Sequence, residues 1–182
     1  QYLLSRAYHR AKHLSDFVKS LLKLTRIRMD RQLQMEWFPI KDVLNEIIKS
    51  QRSNARDKSI KLILNDHLLL DIIYGNKLMI EEAINNLINN AIKYTLPKGE
   101  VNLTCTTENN FIILVVTDSG IGIPADDLPK IFDEFYRASN VAKDVETGTG
   151  MGLSIVKQII ERHNGEITVE SKLGEGTKFI IK

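Results

Sequence analysis

The chain has 182 residues, of which 43% are hydrophobic and 26% charged, with a net charge of +2, as is typical of a globular protein with one core and an appended element. No apolar run approaches the roughly 18 residues of a membrane-spanning helix, and there is no signal peptide. The single cysteine, Cys105, excludes an internal disulfide and a cysteine-based zinc site, is compatible with a reducing compartment, and is expected to pack as a small apolar residue.

The N-terminal segment is predicted to be one helix with an apolar seam. Apolar residues recur there at intervals of three and four: Leu4, Ala7, Ala11, Leu14, Val18 and Leu21. We expect a partner helix to cover this seam, either from an upstream segment or from a second copy of the chain, with packing on the following domain as the alternative. The helical pattern starts at Gln1 without a cap, which suggests a soluble fragment whose upstream part is missing. Whether the full-length protein is membrane-anchored is left open.

The same helix is basic, with eight Lys and Arg residues against two Asp among the first 31 residues. Its basic side chains fit an acidic protein partner, anionic lipid or simply solvent. His9 and His13 have the spacing of metal ligands, but no acid or cysteine completes a site, so a solvated or dimer-contact role is favoured. Periodicity is lost from Arg26 to Leu33, which predicts a linker.

The next elements alternate between strand and helix patterns. Gln34 to Phe38 is predicted to be a short strand that Pro39 ends, and an amphipathic helix follows to about Ala55. Alternating apolar residues predict a strand from Ile60 to Asn65. Asn76 is a suitable N-cap for the helix that comes next.

The run from Lys77 to Tyr94 contains no Gly or Pro, and its apolar residues recur at helical spacing, which predicts a helix with one buried face. Four asparagines lie in it, although each costs about 0.5 kcal/mol relative to Ala in a helix. Asn86, Asn90 and Lys93 share one stripe roughly opposite the apolar face. Amide oxygens can bind Mg²⁺ and lysine attracts phosphate, so the stripe suits a polyphosphate with its metal; a solvated helix face is the alternative.

A hairpin is predicted after this helix, with strands Val101 to Thr107 and Phe111 to Thr117. Its second strand leads into Asp118-Ser119-Gly120-Ile121-Gly122-Ile123-Pro124. An Asp at a strand end can accept a hydrogen bond from an exocyclic amine such as that of adenine, and the glycines let a flat base approach the backbone. The Asp-x-Gly-x-Gly pattern also occurs in turns and calcium loops, so its position after a strand is what favours a base site.

An aromatic cluster, Ile131 to Arg137, precedes an aperiodic polar stretch, Ala138 to Thr149, which is predicted to be a lid or disordered. A glycine-rich run from Gly148 to Leu153 then opens a helix. Glycines before a helix N-terminus offer N–H groups and the positive end of the helix dipole to an anion, which predicts a second phosphate-binding wall. The rest is predicted as follows: a helix to about His163 that Gly165 ends, strands Ile167 to Ser171 and Thr177 to Ile181, and a turn from Lys172 to Gly176.

Taken together and in this order, these motifs resemble a known family. From about Trp37 to Lys182 the chain resembles the catalytic and ATP-binding domain of two-component sensor histidine kinases, members of the GHKL superfamily with the Bergerat nucleotide-binding fold. Residues 1–33 resemble the second helix and linker of the family's dimerisation and phosphotransfer hairpin, and residues 34–182 the catalytic domain. The resemblance implies an α/β sandwich, a mixed sheet of about five strands with three helices on one face, preceded by a long heptad-like helix.

The resemblance also implies ATP and Mg²⁺ as cofactors and assigns roles to residues of the family's N box. Asn90 would be the Mg²⁺ ligand, Asn86 and Lys93 would contact phosphate, and Tyr94 would neighbour the adenine. Arg137 would reach the terminal phosphate, so the implied catalytic residues are Asn86, Lys93 and Arg137.

Further residues match the other boxes of the family. Asp118, in the first glycine box, would read the adenine amine, and Phe132 and Phe135 match the F box. Gly174-Glu175-Gly176-Thr177 resembles the last glycine box. The remaining nucleotide-binding residues implied by the match are Gly120, Gly122, Ile123, Gly148, Gly150, Met151, Gly152, Leu153 and Thr177.

Two positions depart from the family pattern. The family usually has Asp where Asn76 stands, a change that should do little harm at a helix cap. The phosphoacceptor motif, a His followed by an acid and then Arg-x-Pro, is absent, since none of the four histidines precedes an acid. We therefore expect that this chain does not autophosphorylate by itself.

The implied reaction is transfer of the γ-phosphate of Mg-ATP to a histidine outside this chain, followed by relay to an aspartate of a response regulator. Relatives that hydrolyse ATP, such as DNA gyrase, place a Glu four residues before the Mg²⁺-binding Asn. Asn86 stands at that position here, and an amide cannot accept a proton from water, so transfer is favoured over hydrolysis. Glu82 lies one turn earlier on the same face and would take that role if the register were different.

Two alternatives remain for the function, and several partners are expected. The alternatives are a serine kinase of the anti-sigma-factor type with the same fold and a non-catalytic nucleotide-binding dimerisation module. The expected partners are a second copy of the chain through the N-terminal helix and an acidic receiver domain docked near Arg6 to Lys23; no nucleic acid is expected. The resemblance implies a cytoplasmic location for this part of the sensor.

Overall fold

A computed structural model describes residues 2–29, 33–69, 71–109, 111–141 and 148–182, without the side chains of residues 2–6, 9 and 13. Half of the predicted lid, residues 142–147, lies outside this part, as do the side chains of His9 and His13. The helices are α1 (Tyr2–Met29), α2 (Ile40–Asp57), α3 (Lys77–Tyr94) and α4 (Gly152–Arg162), with a 3-10 turn at Leu128–Lys130. The strands are β1 (Glu36–Pro39), β2 (Lys61–His67), β3 (Ile72–Gly75), β4 (Glu100–Glu108), β5 (Phe111–Asp118), β6 (Ile167–Lys172) and β7 (Gly176–Ile181).

The main sheet has five strands in the order β2-β4-β5-β7-β6 and is mixed. Strands β2 and β4 are parallel, while the pairs β4–β5, β5–β7 and β6–β7 are antiparallel. Along β4 every second residue is buried, so Val101, Leu103 and Cys105 all face the helices with no exposed surface. Helices α2, α3 and α4 pack on that one face of the sheet, and the predicted α/β sandwich is confirmed.

Helix α3 is the central helix of this layer because its apolar stripe is continuous. Ile84, Leu87 and Ile88 are at most 1% exposed, and α3 contacts both α2 and α4. Burying a side chain of this size stabilises a fold by about 1.5 to 3 kcal/mol, so the stripe fixes which face of α3 points outward. Cys105 is buried in the same core, where burial raises the pKa of its thiol to about 12, in keeping with a packing role.

The start of α3 is fixed by hydrogen bonds that also join it to α4. The Asn76 side chain accepts a hydrogen bond from the Met79 N–H at 3.0 Å, which confirms the predicted N-cap. The backbone N–H of Asn76 donates to His163 Nε2 at 2.9 Å, so Nδ1 carries the ring proton and faces Ile159 O at 2.7 Å. One imidazole therefore links the beginning of α3 to the end of α4.

The structure differs from the sequence predictions at β3 and at the end of α1. Strand β3 was not predicted, since it has only four residues and pairs with β1 in a separate two-stranded sheet. Helix α1 continues to Met29, so the predicted linker start at Arg26 is wrong; its heptad pattern changes there because Ile27, 3% exposed, packs into the core. Helix α4 ends at Arg162, within one residue of the predicted end at about His163, and Asn164 follows it in a left-handed conformation with φ of 57°.

Helix α1 thus has two parts with different environments. Leu24 is 1% exposed and belongs to the core of the α/β sandwich that follows, as Ile27 does. The described seam residues Ala7, Ala11, Leu14, Val18 and Leu21 are all exposed in the single chain. What covers the seam therefore stays a prediction. Of the described helices, none is long and apolar enough to cross a membrane.

Candidate functional site

A cleft with about 1060 Å³ of space, part of it open to solvent, lies beside α3. Its walls come from α3, the end of β5, the aromatic cluster and the residues that follow it, the start of α4, and β7. Most of the residues singled out from the sequence line it: Asn86, Asn90, Lys93, Tyr94, Asp118, Gly122, Ile123, Arg137, Gly148, Gly150, Gly152, Leu153 and Thr177. Gly120 and Met151 do not; Met151 is fully buried in the core.

One end of the cleft, here called the polar end, is formed where the polar stripe of α3 meets the glycine-rich start of α4. A Cβ added to Gly148 would lie 2.7 Å from Lys93 Nζ, and one added to Gly152 would lie 3.5 Å from Asn86 Oδ1 and 3.8 Å from Asn90 Nδ2. The glycines therefore let the backbone come close to the amides and the ammonium group. Asn86 Nδ2 donates to Glu82 O at 3.1 Å, which turns its Oδ1 toward Gly152.

Positive charge is concentrated at the polar end. Burial, and then the neighbouring charges of Arg137 and Lys58, lower the pKa of Lys93 to about 8. Lys58 donates hydrogen bonds to the carbonyl oxygens of Ile92 and Lys93 at the end of α3. A partly buried ammonium group with two further cations near it attracts an anion, since an anion offsets the mutual repulsion of the cations.

The opposite end, here called the carboxylate end, is formed by Asp118 at the end of β5. Its side chain is 7% exposed and accepts a hydrogen bond from the Gly120 N–H at 2.8 Å. Burial raises its pKa to about 6, although the N–H groups of Gly120 and Thr177 act in the opposite direction. Gly176, at the start of β7, lies close to the Asp118 backbone and has φ of 105°. A Cβ added to it would lie 1.9 Å from the Asp118 carbonyl oxygen. A buried carboxylate without a cation partner can accept a hydrogen bond from a neutral amine.

The end of the aromatic cluster and the residues that follow it are held in place by a buried carboxylate. Asp127 accepts hydrogen bonds from the Tyr136 hydroxyl at 2.6 Å, from the Ser139 N–H at 2.7 Å and from the Ser139 hydroxyl at 2.8 Å. These bonds lower the pKa of Asp127. The wall that carries Tyr136 and Arg137 is therefore ordered by Asp127 rather than by secondary structure.

The aromatic residues of this segment connect the cleft with helix α1. Phe135 has φ of 66°, and a Cβ on Gly150 would lie 2.6 Å from its carbonyl carbon. Its ring stacks on Phe17 with centroids 5.6 Å apart, while Phe132 packs edge-on against Phe179. Helix α1 thus touches the loop that leads into the cleft wall.

Glu82, the alternative acid on α3, faces away from the cleft. It does not line the cavity, and its carboxylate lies 2.6 Å from Lys23 Nζ of α1. The register of α3 is therefore the one that puts Asn86, and not Glu82, against the cleft.

Several lining residues were not singled out from the sequence: Ala91, Ile121, Ile131, Tyr136, Ala138, Asn140, Val141, Thr149 and Phe179. Some of them carried a usable signal, since Phe179 follows Thr177 by two residues on a strand and so shares its face. Asn140 carried none, because it lies in a stretch without periodicity. Its place in the wall comes from contacts between segments distant in sequence.

The donor set at the polar end suits a magnesium nucleotide better than a protein-held metal. Among the described residues there is no group of three His, Cys, Asp or Glu side chains that could hold a metal ion. Asn90 offers one amide oxygen, and Mg²⁺ commonly takes one or two protein ligands while phosphate and water supply the rest. The cleft therefore fits a ligand that brings its own phosphates.

Comparisons with known proteins agree with this geometry. The family model "Histidine kinase-, DNA gyrase B-, and HSP90-like ATPase" matches residues 75–182. The sensor protein SrrB of Staphylococcus aureus is 36% identical over 175 residues, a match that covers 94% of this chain and 30% of that protein. The chain thus spans about 30% of the length of the curated relatives it matches first.

Two solved structures share the fold over nearly the whole chain. Full-length ShkA in complex with AMPPNP is 26% identical with a TM-score of 0.80, and the match covers 93% of this chain and 35% of that one. The histidine kinase ThkA in complex with the response regulator TrrA is 23% identical with a TM-score of 0.79, and the match covers 100% and 50%. The second likeness is one of fold alone.

Proposed function

Because the chain belongs to the family of histidine kinase-, DNA gyrase B- and HSP90-like ATPases and matches the ATP-binding domain of sensor histidine kinases, we propose that it binds Mg-ATP and transfers the γ-phosphate to a histidine. The acceptor histidine lies on a helix outside this chain, and the phosphate is then relayed to an aspartate of a response regulator. The likeness to ShkA, whose structure contains AMPPNP, supports the nucleotide.

The observation that carries this proposal is the position of Asn86 in the cleft. Its amide lines the polar end, while the nearest acid on the same helix, Glu82, is paired with Lys23 on the outside. An amide cannot take a proton from an attacking water, so this cleft favours transfer to a side chain over hydrolysis.

The two ends of the cleft would bind different parts of the nucleotide. Asp118 would accept a hydrogen bond from the adenine amine, and Lys93 and Arg137 would balance phosphate charge. Asn90 would hold Mg²⁺, and the N–H groups at the glycine-rich start of α4 would face the phosphates. The bound Mg²⁺ supplies charge neutralisation of the phosphates, and the protein supplies position and exclusion of water.

A response regulator and a second copy of the chain are the proposed partners. ThkA, which has the same fold, is known in complex with the response regulator TrrA. The exposed apolar seam of α1 fits a partner helix, and the basic side chains of the same helix fit an acidic receiver domain. Reversing the charge of Arg10, Lys12 and Lys19, which are exposed, should slow phosphotransfer to the receiver; an unchanged rate contradicts docking at this helix.

The decisive experiment uses a longer chain that includes the upstream acceptor helix, incubated with γ-labelled ATP. We expect acid-labile, base-stable phosphate on the protein, lost in the Asn90→Ala variant and retained in Glu82→Gln. Acid-stable phosphate would indicate a serine kinase of the same fold. ATP binding without any protein phosphate would indicate a non-catalytic nucleotide-binding module, and loss of turnover in Glu82→Gln would overturn the role given to Asn86.

A further inference from the structure

Asn140 occupies an unusual position in the wall of the cleft. Its Nδ2 donates a hydrogen bond to the carbonyl oxygen of Gly122 at 2.9 Å. Its Oδ1 is buried and has no hydrogen-bond partner among the described residues. Asn140 is one of the residues that line the cleft, so a ligand in the cleft lies close to this buried acceptor.

The orientation of the Asn140 amide is fixed by chemistry. The Gly122 carbonyl oxygen can only accept a hydrogen bond, so the amide must present its NH₂ group to it. The other side of the amide is therefore an acceptor, and no rotation of the amide would satisfy both groups. A buried acceptor without a donor is unfavourable, so a ligand that brings a donor gains from this position.

The backbone around Asn140 is held by hydrogen bonds to other parts of the protein. The preceding residue, Ser139, gives both its N–H and its hydroxyl to the buried carboxylate of Asp127. Asn140 is thus held from one side by Asp127 and from the other by Gly122. A side chain held in this way loses little conformational freedom when it meets a ligand.

ATP has few hydrogen-bond donors that could bind to Asn140 Oδ1. At neutral pH the nucleotide carries hydrogen-bond donors only on its 6-amino group and its two ribose hydroxyls. Asp118 is the acceptor for the amine, and Gly122 lies in the same loop, four residues further along. Asn140 therefore stands beside the carboxylate end of the cleft, where the ribose follows the base.

We propose that Asn140 is a further nucleotide-binding residue, whose Oδ1 accepts a hydrogen bond from a ribose hydroxyl. This inference rests on the proposed function, because it requires that the cleft binds ATP. It makes Asn140 a residue that distinguishes ribonucleotides from deoxynucleotides.

The test compares the dissociation constants of ATP, 2′-deoxy-ATP and 3′-deoxy-ATP by calorimetry, with Mg²⁺ present. In the wild-type protein one of the two deoxynucleotides should bind about three- to tenfold more weakly than ATP, as loss of one hydrogen bond predicts. In Asn140→Ala this preference should disappear, because the acceptor is gone. The comparison between nucleotides cancels any general weakening caused by loss of the bond to Gly122.

Ser139→Ala serves as the matched control, since it loosens the same segment without touching the proposed acceptor. It should keep the preference for ATP over the deoxynucleotide even if all three bind more weakly. If Asn140→Ala does not fold, Asn140→Leu takes its place, because leucine has a similar size and no acceptor. The inference is overturned if the wild type binds all three nucleotides equally well, or if the preference survives in the Asn140 variant. If the wild type does not bind ATP at all, the proposed function is overturned instead.

Discussion

Asp118 keeps a carboxylate in surroundings that favour its neutral form. The side chain is 7% exposed, and its pKa rises from the ordinary 3.8 to about 6 because burial penalises the charge. Folding does not favour such a charge, so the reason for it must be sought in the ligand. An ionised acceptor at this position selects a ligand that brings a hydrogen-bond donor to the carboxylate end of the cleft.

Asp118→Asn should stabilise the protein in a pH-dependent way. The folded state binds the Asp118 proton more tightly than the unfolded state, so the wild type loses stability as the pH rises from about 4 through about 6. At about 1.4 kcal/mol for each tenfold change in acidity, the variant should be more stable by up to about 3 kcal/mol at pH 8. Urea unfolding between pH 4 and 8 measures this difference, which should vanish at the acid end.

The control for this prediction is Asp126→Asn, since Asp126 is exposed on the surface nearby. It should leave the unfolding free energy within about 0.5 kcal/mol of wild type at every pH. The Asp118 variant should also bind ATP more weakly although it is more stable. A loss of stability at pH 8 would contradict the account of Asp118.

The lowered pKa of Lys93 predicts that phosphate binding is coupled to proton uptake. Its pKa, lowered to about 8 chiefly by burial, leaves it about half protonated at pH 8, and a bound anion favours the charged form. Calorimetric titration of ATP in two buffers of different ionisation enthalpy should show uptake of up to about half a proton at pH 8. The uptake should fall toward zero below pH 7, where Lys93 is already charged.

Lys93→Arg is the matched variant, because guanidinium stays protonated throughout this range. It should bind ATP without the proton uptake seen for the wild type at pH 8. The same uptake in both proteins would mean that another group gains the proton.

At the scale of the elements, the cap of α3 tests how a helix at the cleft is fixed. Asn76→Ala removes the bond to Met79 N–H and should cost about 1 kcal/mol of unfolding free energy. Asn76→Asp keeps a side-chain acceptor and should restore most of that loss. Both variants lose the contact of Nδ2 with Gln34 O, so their difference in thermal or urea unfolding isolates the cap. An Asp variant as unstable as the Ala variant would rule out capping as the role of Asn76.

Regular elements could be predicted from the sequence where the local pattern and the tertiary environment agree. Helix α3 has the predicted bounds because its apolar stripe, its cap and its lack of Gly and Pro all point the same way. Strand β3 was missed because four residues carry no measurable period and gain their partner from β1. The end of α1 was misread because Leu24 and Ile27 pack on a domain whose position the helix pattern does not contain.

The cleft shows the same division between local and distant information. Asp118, Asn86 and the glycines lie in recognisable local patterns, so they could be found from sequence. Tyr136 and Asn140 line the cleft only because Asp127 and Gly122 bind them across the fold. Hydrogen bonds of this kind leave no periodic trace in the sequence.

For the molecule as a whole, the main question is how α1 is attached to the rest. Lys23 pairs with Glu82 on α3, Arg28 pairs with Glu134 beside the cleft wall, and Phe17 stacks on Phe135. Partly exposed ion pairs contribute at most about 1 kcal/mol each, so they orient the helix more than they hold it. The attachment must depend chiefly on the buried apolar side chains at the C-terminal end of α1.

Leu24→Ala tests this attachment, with Leu22→Ala as its control. Leu24 is 1% exposed and Leu22 is 59% exposed, although both belong to the same helix and lose the same atoms. Removing a buried leucine costs about 2 to 5 kcal/mol, whereas an exposed one changes stability by less than about 0.5 kcal/mol. Urea unfolding, repeated at two protein concentrations to exclude a contribution from association, should show this contrast. Hydrogen exchange should also become faster in α1 of the Leu24 variant. If the two substitutions lower the unfolding free energy equally, α1 is not held by its buried face.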